Sequence, residues 1–467
     1  MSGHVVEPPR CGTVDMTDVD AITDRMMTVS IPASADSRNT AQDQLCTGNL
    51  EGESVATQLK ELNSQSAVMQ GGLESRDEAH LTFREVENSG PATSPVPFEP
   101  PSYLNATRAE EVLVYDENTK EHFVAKNVLF AKNKDSDGEE SVSRQRDQRA
   151  YWKLPNKAPI ETRMGHLEIS IVLKRCLRND DTDTEDEKDD SEEEDDIVFL
   201  LTDQRVAVKV NYCDRMERSL HLNAENPLNE IAAQKIVGND HPHVLGVIEV
   251  LYDGENLNVV MPYCGGGDLF DTVDEYLRSH PGEFGLPENK ARYWFRQLLQ
   301  GMHHLQRSGI CHRDLSPENV IITGESCLVI DLGMCLRIPF TSRDGNDGMV
   351  TDVLCGITRR LITPQGQCGK RRYMSPEIWR NKDNFDGFFI DVWTAGMILF
   401  FMLTGQTYLQ PFDQIFRCVT TDLPGLLKYW NMNLSHNAVD LLRGLLAVDP
   451  KSRLTLGQIM AHPWVTG

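Results

Sequence analysis

Apolar and polar positions divide the chain into stretches of very different kind. From Met1 to about Tyr103 no periodicity holds: there is no Trp, the only aromatics are Phe83, Phe98 and Tyr103, and Ser, Thr, Asp, Glu, Gln and Gly dominate. Such a composition cannot bury enough apolar surface to offset chain entropy, so residues 1–103 are expected to be disordered. They close in an extended spacer at Pro91, Pro95, Pro97, Pro100 and Pro101. Two apolar runs around the polar turn D-E-N-T then predict a hairpin within Glu110–Phe130, and residues 104–150 read as a linker carrying it, because Lys132–Arg149 is almost wholly polar. Leu167, Ile169, Ile171 and Leu173 alternate with Glu168, Ser170 and Val172, a strand; Ile197–Leu201 and Val206–Val210 predict two more. Asn226-Pro227 opens a helical pattern that contains Glu230. Leu257–Met261 is a further strand, and Phe295, Leu298, Leu299, Met302 and Leu305 recur at helical spacing until Gly309 stops them. A buried helix over Met397–Leu403 follows Asp391–Gly396.

Charge changes the picture at two points. The net charge is −25, which argues against nucleic acid or an anionic membrane as an obligate partner, since both select basic surfaces. Much of it is local: Asp180–Asp196 holds thirteen acids against Lys188, and such a block reads as a solvated loop. The eleven cysteines include no C-x-x-C pair and no histidine cluster at zinc spacing accompanies them, so reduced thiols are expected. The N-terminus lacks a signal-peptide pattern, Ser2 stands where myristoylation needs glycine, and the longest apolar run, Gly396–Leu403, is too short to span a bilayer. These features predict a cytoplasmic or nuclear protein without membrane insertion.

Chemistry concentrates in C-H-R-D-L-S-P-E-N, Cys311–Asn319, between the amphipathic helix and the apolar Val320–Ile322. Phosphoryl transfer needs an acid to hold the incoming hydroxyl and an oxygen ligand for magnesium; Asp314 and Asn319 on one loop would supply both. The stretch resembles the catalytic loop of eukaryotic protein kinases, H-R-D-L-x-x-x-N, and its P-E-N ending is similar to the serine/threonine type. Other motifs stand in the family's order: V-A-V-K at Lys209, Glu230 twenty-one residues on, L-V-I-D-L-G at Asp331, M-S-P-E at Met374–Glu377, D-V-W-T-A-G at Asp391 and D-P-K-S-R ending at Arg453. The D-P-x-x-R and H-P-W-V ending is similar to calcium/calmodulin-dependent-type kinases.

The resemblance implies an α+β, two-lobed protein kinase fold over residues 151–467, with a β-rich small lobe (151–262, carrying an acidic insertion at 179–196) and a mainly helical large lobe (263–467). It implies ATP and Mg2+ as cofactors, Lys209 on the α and β phosphates with Glu230 holding it, Asp314 as catalytic acid group, and Asn319 and Asp331 on the metal. Gly165, Leu167, Ala207 and Ile321 would flank the nucleotide. Met261 would be gatekeeper, Pro262 and Cys264 would offer the hinge carbonyl and N–H, and Asp268 would meet the ribose or cap the next helix. Lys126 mimics a strand lysine but is followed by no helix with a placed Glu. Of the family's glycine-rich loop only Gly165 remains, with Ile160 and Thr162 at the other glycine positions. Two further departures converge on Asp314: Ser316 replaces a family lysine, and Lys370 replaces a family threonine. Lys370 is therefore expected to supply the missing positive charge, or else to form a substrate patch with Arg371 and Arg372. Phosphorylation of Thr363 by an upstream activating kinase is expected to order the activation segment through Arg313. Protein substrates are the implied partners. The competing readings are a pseudokinase scaffold that binds nucleotide or partners, and an acidic interaction protein.

Overall fold

A computed structural model describes Val96, Phe98, Glu99 and residues 103–131, 149–176, 198–219, 225–341, 349–351, 358–406 and 414–467. Residues 1–95, the polar stretch 132–148, the acidic insertion 179–196 and positions 342–348 and 352–357 of the activation segment lie outside the described residues. The chain forms two lobes, a strand-rich small lobe followed by a helical large lobe.

Among the described residues the small-lobe sheet has eight strands: β1 (Leu104–Asp116), β2 (Glu121–Ala131), β3 (Arg149–Lys153), β4 (Ile160–Glu161), β5 (Gly165–Cys176), β6 (Val198–Tyr212), β7 (Glu249–Tyr252) and β8 (Asn256–Pro262), in the order β3-β2-β1-β7-β8-β6-β5-β4. The β1–β2 turn is set locally. Asp116 accepts the Asn118 N–H through its side chain at 2.9 Å and the Lys120 N–H through its carbonyl at 2.8 Å, with Lys120 at φ 61°. Two extra pairings, β3 with β5 and β1 with β6, close β1, β2, β3, β5 and β6 into a ring. Val114, Ala125, Val128, Ala150, Leu173 and Phe199 are buried inside it. The hairpin builds a second core onto the far halves of β5 and β6, while their near halves join β7 and β8 in the sheet beside the cleft.

A polar network ties this ring to the cleft. Glu168 on β5, only 4% exposed, is met by Arg108 of β1 at 3.2 Å, Lys153 of β3 at 3.3 Å and His166 at 3.2 Å. Arg108 also donates to Asn258 of β8 at 2.9 Å and lies 3.5 Å from Asp253. A buried carboxylate is stable only when paired in this way.

The end of the region expected to be disordered is ordered. Val96 N–H donates to the Arg337 carbonyl at 3.0 Å, Phe98 packs against the large-lobe core, and Tyr103 is buried edge-on to Tyr252 at 5.6 Å. Tyr103 shares its cluster with Ile231 and Met261. Val96, Phe98 and Tyr103 supply apolar packing that the composition of the region as a whole does not suggest.

Helix α1 (Cys213–Ser219) leads to α2 (Pro227–Val237), whose cap Asn226 accepts the Leu228 N–H at 2.9 Å, with Pro227 in the first turn. In the large lobe α3 (Leu269–Ser279) precedes α4 (Glu288–Arg307), and the predicted stripe Phe295, Leu298, Leu299, Met302 and Leu305 is buried. After α5 (Pro376–Arg380), α6 (Gly387–Thr404) forms the centre of that lobe. By length and composition α6 could cross a membrane, yet all of it is buried inside the protein; the apolar run seen in sequence is its second half.

Two outcomes follow. Leu173→Ala should destabilise the protein by about 2–5 kcal/mol through the cavity left in the ring, measured by chemical denaturation. Burial alone would raise the pKa of Glu168, but Arg108, Lys153 and His166 together hold it below its ordinary 4.5. A carboxylate depressed in the folded state stabilises above its unfolded pKa and loses that contribution as pH falls through the folded value. The stability advantage of the wild type over Glu168→Gln, full at neutral pH, should therefore shrink as the pH drops below 4.5.

Candidate active site

The catalytic loop is held from beneath. It leaves β9 (Ile310–Cys311) and ends in a tight turn, Pro317–Asn319, that feeds β10 (Val320–Thr323), paired with β11 (Ser326–Val329). Asp391, buried in α6, accepts the backbone N–H of His312 at 2.7 Å and of Arg313 at 2.9 Å. Arg313 sits at φ 67°, a left-handed conformation that costs energy without glycine, and these two charge-assisted bonds hold it there. His312, fully buried, bonds through Nε2 to the Ile330 carbonyl at 2.9 Å. Asn319 Nδ2 donates to the Asp314 carbonyl at 2.7 Å. Burial pushes the Asp314 carboxyl up from its ordinary value, and the charges of Lys370 and His312 oppose that rise.

Across the cleft, Lys209 Nζ donates to both oxygens of Glu230, at 2.9 and 2.7 Å. Burial works against the Lys209 charge, but Glu230 and then Asp331 outweigh it and its pKa is raised. Burial pushes the Glu230 carboxyl up, with the Lys209 charge opposing it, so each group depends on the other and removing either would leave its partner buried alone. Ile330 N–H donates to the Asn319 carbonyl at 3.0 Å, which brings Asp331 beside Asn319. Asp331 is exposed at φ 64° and accepts the Gly333 N–H at 3.2 Å, while Leu332 behind it is buried. At the hinge Ala207 pairs with Met261 and Val206 with Pro262. Met261 is buried against Gln234, and Cys264 Sγ lies 3.8 Å from the Pro262 carbonyl. Asp268 caps α3, accepting the Asp271 N–H at 2.8 Å, and burial pushes its pKa up to about 6; it is bridged to Ile321, and Leu167 lies across from Lys209.

Some expected residues are placed differently. Gly165 is not part of a loose flap: Thr162 N–H donates to the Gly165 carbonyl at 3.0 Å and Gly165 N–H to Thr162 Oγ1 at 3.1 Å, and the Met164 carbonyl between them is bound by Tyr212 N–H at 2.9 Å. A Cβ at Gly165 would stand 1.9 Å from the Val210 carbonyl oxygen, so glycine is required there by close packing. The structure does not bring Thr363 to Arg313. Thr363 Oγ1 accepts from Gln365 at 3.2 Å, whereas the buried Arg313 guanidinium donates to Cys368 Sγ at 2.7 Å and the Met334 carbonyl at 3.4 Å. Lys126 lies on the surface, paired with Glu111 at 2.9 Å. Sequence reasoning missed Arg359. It leaves a small sheet formed by Phe340–Thr341, Met349–Thr351 and Thr358–Arg360 and meets Asp386, the α6 cap, with both side chains 2% exposed; its guanidinium stacks 4.8 Å over Phe388. Asp386 is legible as a cap before a buried helix, but no pattern marks its partner.

A comparison with protein-family models matches residues 197–465 to the protein kinase domain. The chain belongs to the protein kinase family. A probable serine/threonine-protein kinase of Dictyostelium discoideum is 31% identical over 50% of the chain and 24% of that relative. CBL-interacting serine/threonine-protein kinase 16 of Arabidopsis thaliana is 29% identical over 56% of the chain and 51% of its own length. Maternal embryonic leucine zipper kinase of Danio rerio is 30% identical over 57% and 34%. The matched region thus spans about half or less of these relatives. It includes Lys209, Glu230, the catalytic loop and the activation segment of this kinase, and excludes β1–β5.

Arg359→Met should cost about 3–5 kcal/mol by leaving Asp386 buried and unpaired, read by chemical denaturation. Thr363→Asp and Thr363→Ala should transfer phosphate at equal rates; a faster Thr363→Asp enzyme would mean that Arg313 can be released from Cys368.

Proposed function

We propose that this kinase is catalytically active and transfers the γ-phosphate of Mg-ATP to serine or threonine hydroxyls of proteins. The observation that carries the reading is the bidentate Lys209–Glu230 pair, since an intact pair is what holds the α and β phosphates in this family. Asp314 holds the incoming hydroxyl, and its carbonyl, bound by Asn319, keeps the loop from swinging away. Pro262 and Cys264 receive the adenine edge, and Asp268 receives the ribose. Asn319 and Asp331 suit a hard divalent cation: one is a carboxylate, and the other spends its amide nitrogen on Asp314 and keeps its oxygen as the donor end. When bound, the ion supplies charge neutralisation across the phosphates. All the described cysteines are free thiols, which supports a cytoplasmic or nuclear setting.

The scaffold reading draws on the tied-down Thr162–Gly165 turn, which leaves the phosphates without a mobile glycine cover. Transfer of labelled γ-phosphate to a generic protein substrate separates the two. Asp314→Asn should lower kcat by about 10²-fold or more, and Lys209→Met should abolish transfer while melting still reports a folded protein. No transfer by the wild type, with Mg-ATP raising its melting temperature, would instead establish the scaffold.

A further inference from the structure

The catalytic loop of this chain lacks the cation that its phosphoryl chemistry calls for. Ser316, two residues after Asp314, is fully buried, and the acids Asp314, Glu318, Asp331 and Asp268 face the same cleft. A γ-phosphoryl group passing between two oxygens develops charge that must be met by fixed positive groups. Lys209, committed to Glu230, stands on the opposite wall.

The activation segment supplies a second lysine at this point. Lys370 Nζ donates to Ser316 Oγ at 2.7 Å and lies 3.4 Å from Glu318, while the Lys370 backbone N–H donates to Asp314 Oδ1 at 2.8 Å. Gly369 makes the approach feasible: it sits at φ 82°, and a Cβ there would stand 2.6 Å from the Arg313 carbonyl and 3.2 Å from Asp314 Oδ1. On one side Cys368 is buried against Arg313; on the other Tyr373 N–H donates to the Lys370 carbonyl at 3.0 Å. The backbone of Lys370 is thus held at both flanks, and its side chain, 38% exposed, keeps freedom at the tip.

We propose that Lys370 is a catalytic residue whose ammonium contacts the γ-phosphoryl group, delivered by the activation segment to the place that Ser316 vacates on the catalytic loop. The proposal rests on the chain being an active kinase. The same contact makes Ser316 useful, since its hydroxyl holds the ammonium between turnovers without competing with it for charge.

The test compares steady-state transfer to a peptide by the full chain, Asp314→Asn, Lys370→Met, Lys370→Arg and Lys370→Met with Ser316→Lys. Lys370→Met should lose about 10²-fold in kcat with peptide KM changed by less than about threefold. Lys370→Arg should keep most of the rate, and adding Ser316→Lys to Lys370→Met should recover at least about tenfold. An unchanged kcat, a loss confined to peptide KM, or a charge-keeping Lys370→Arg as inactive as Lys370→Met would each overturn the role of Lys370 while Asp314→Asn still shows the enzyme to be a kinase. Transfer that is absent from the wild type or survives Asp314→Asn would remove the kinase reading itself, and this proposal with it.

Discussion

The two hydrogen bonds that Asp391 accepts from the backbone of His312 and Arg313 are the constraint on which the site depends. They hold Arg313 in a left-handed conformation that its side chain would otherwise avoid, and that turn aims Asp314 into the cleft. Asp391 is held in place for this by α6, which is buried along its whole length. Its own carboxyl is pushed up by burial, with His312 and the two N–H groups opposing the shift. Loop, activation segment and the strand leading to Asp331 are then linked in series: Asp314 to Lys370, Asn319 to Asp314, and Ile330 to Asn319.

The small lobe meets a different demand. A lysine must be held at one height above the cleft, and a short twisted sheet alone does this loosely. Here the strands that carry Leu167 and Lys209 run on past the cleft and are closed by β1, β2 and β3 into a ring with its own core. The Glu168 network fastens that ring to β8, and Tyr103 joins the same cluster as Ile231 and Met261. The α2 helix carrying Glu230 is therefore backed by apolar packing contributed from outside the matched kinase domain.

Buried cations around the site are committed to protein partners. Lys209 has Glu230, Arg313 is turned to Cys368 and the Met334 carbonyl, Arg359 has Asp386, and Arg453 has Glu377 at 2.8 Å. Lys370 differs in resting on a neutral hydroxyl as its nearest neighbour, with Glu318 farther off. An ammonium bound to a hydroxyl loses little by moving to a phosphate, whereas one bound in a tight ion pair must first break it.

What the sequence determined by itself was local or carried by spacing. Alternation in β5, the cap at Asn226 and the stripe on α4 are set by residues a few positions apart, and the interval from Lys209 to Glu230 is a property of order along the chain. The convergence of Lys370 and Ser316 on Asp314 was also legible, because two departures from one motif set pointed to one residue. Tertiary structure alone decided the rest. Closure of the ring depends on β1 finding β6, more than eighty residues away, and nothing in either strand's alternation names its neighbour. The same holds for Gly165, where close packing on the Val210 carbonyl oxygen requires glycine. It holds for Arg313, which looked free to receive a phosphate until the fold put Cys368 against it. In each case the deciding contact joins segments distant in sequence, and a buried group takes whatever partner packing brings within reach.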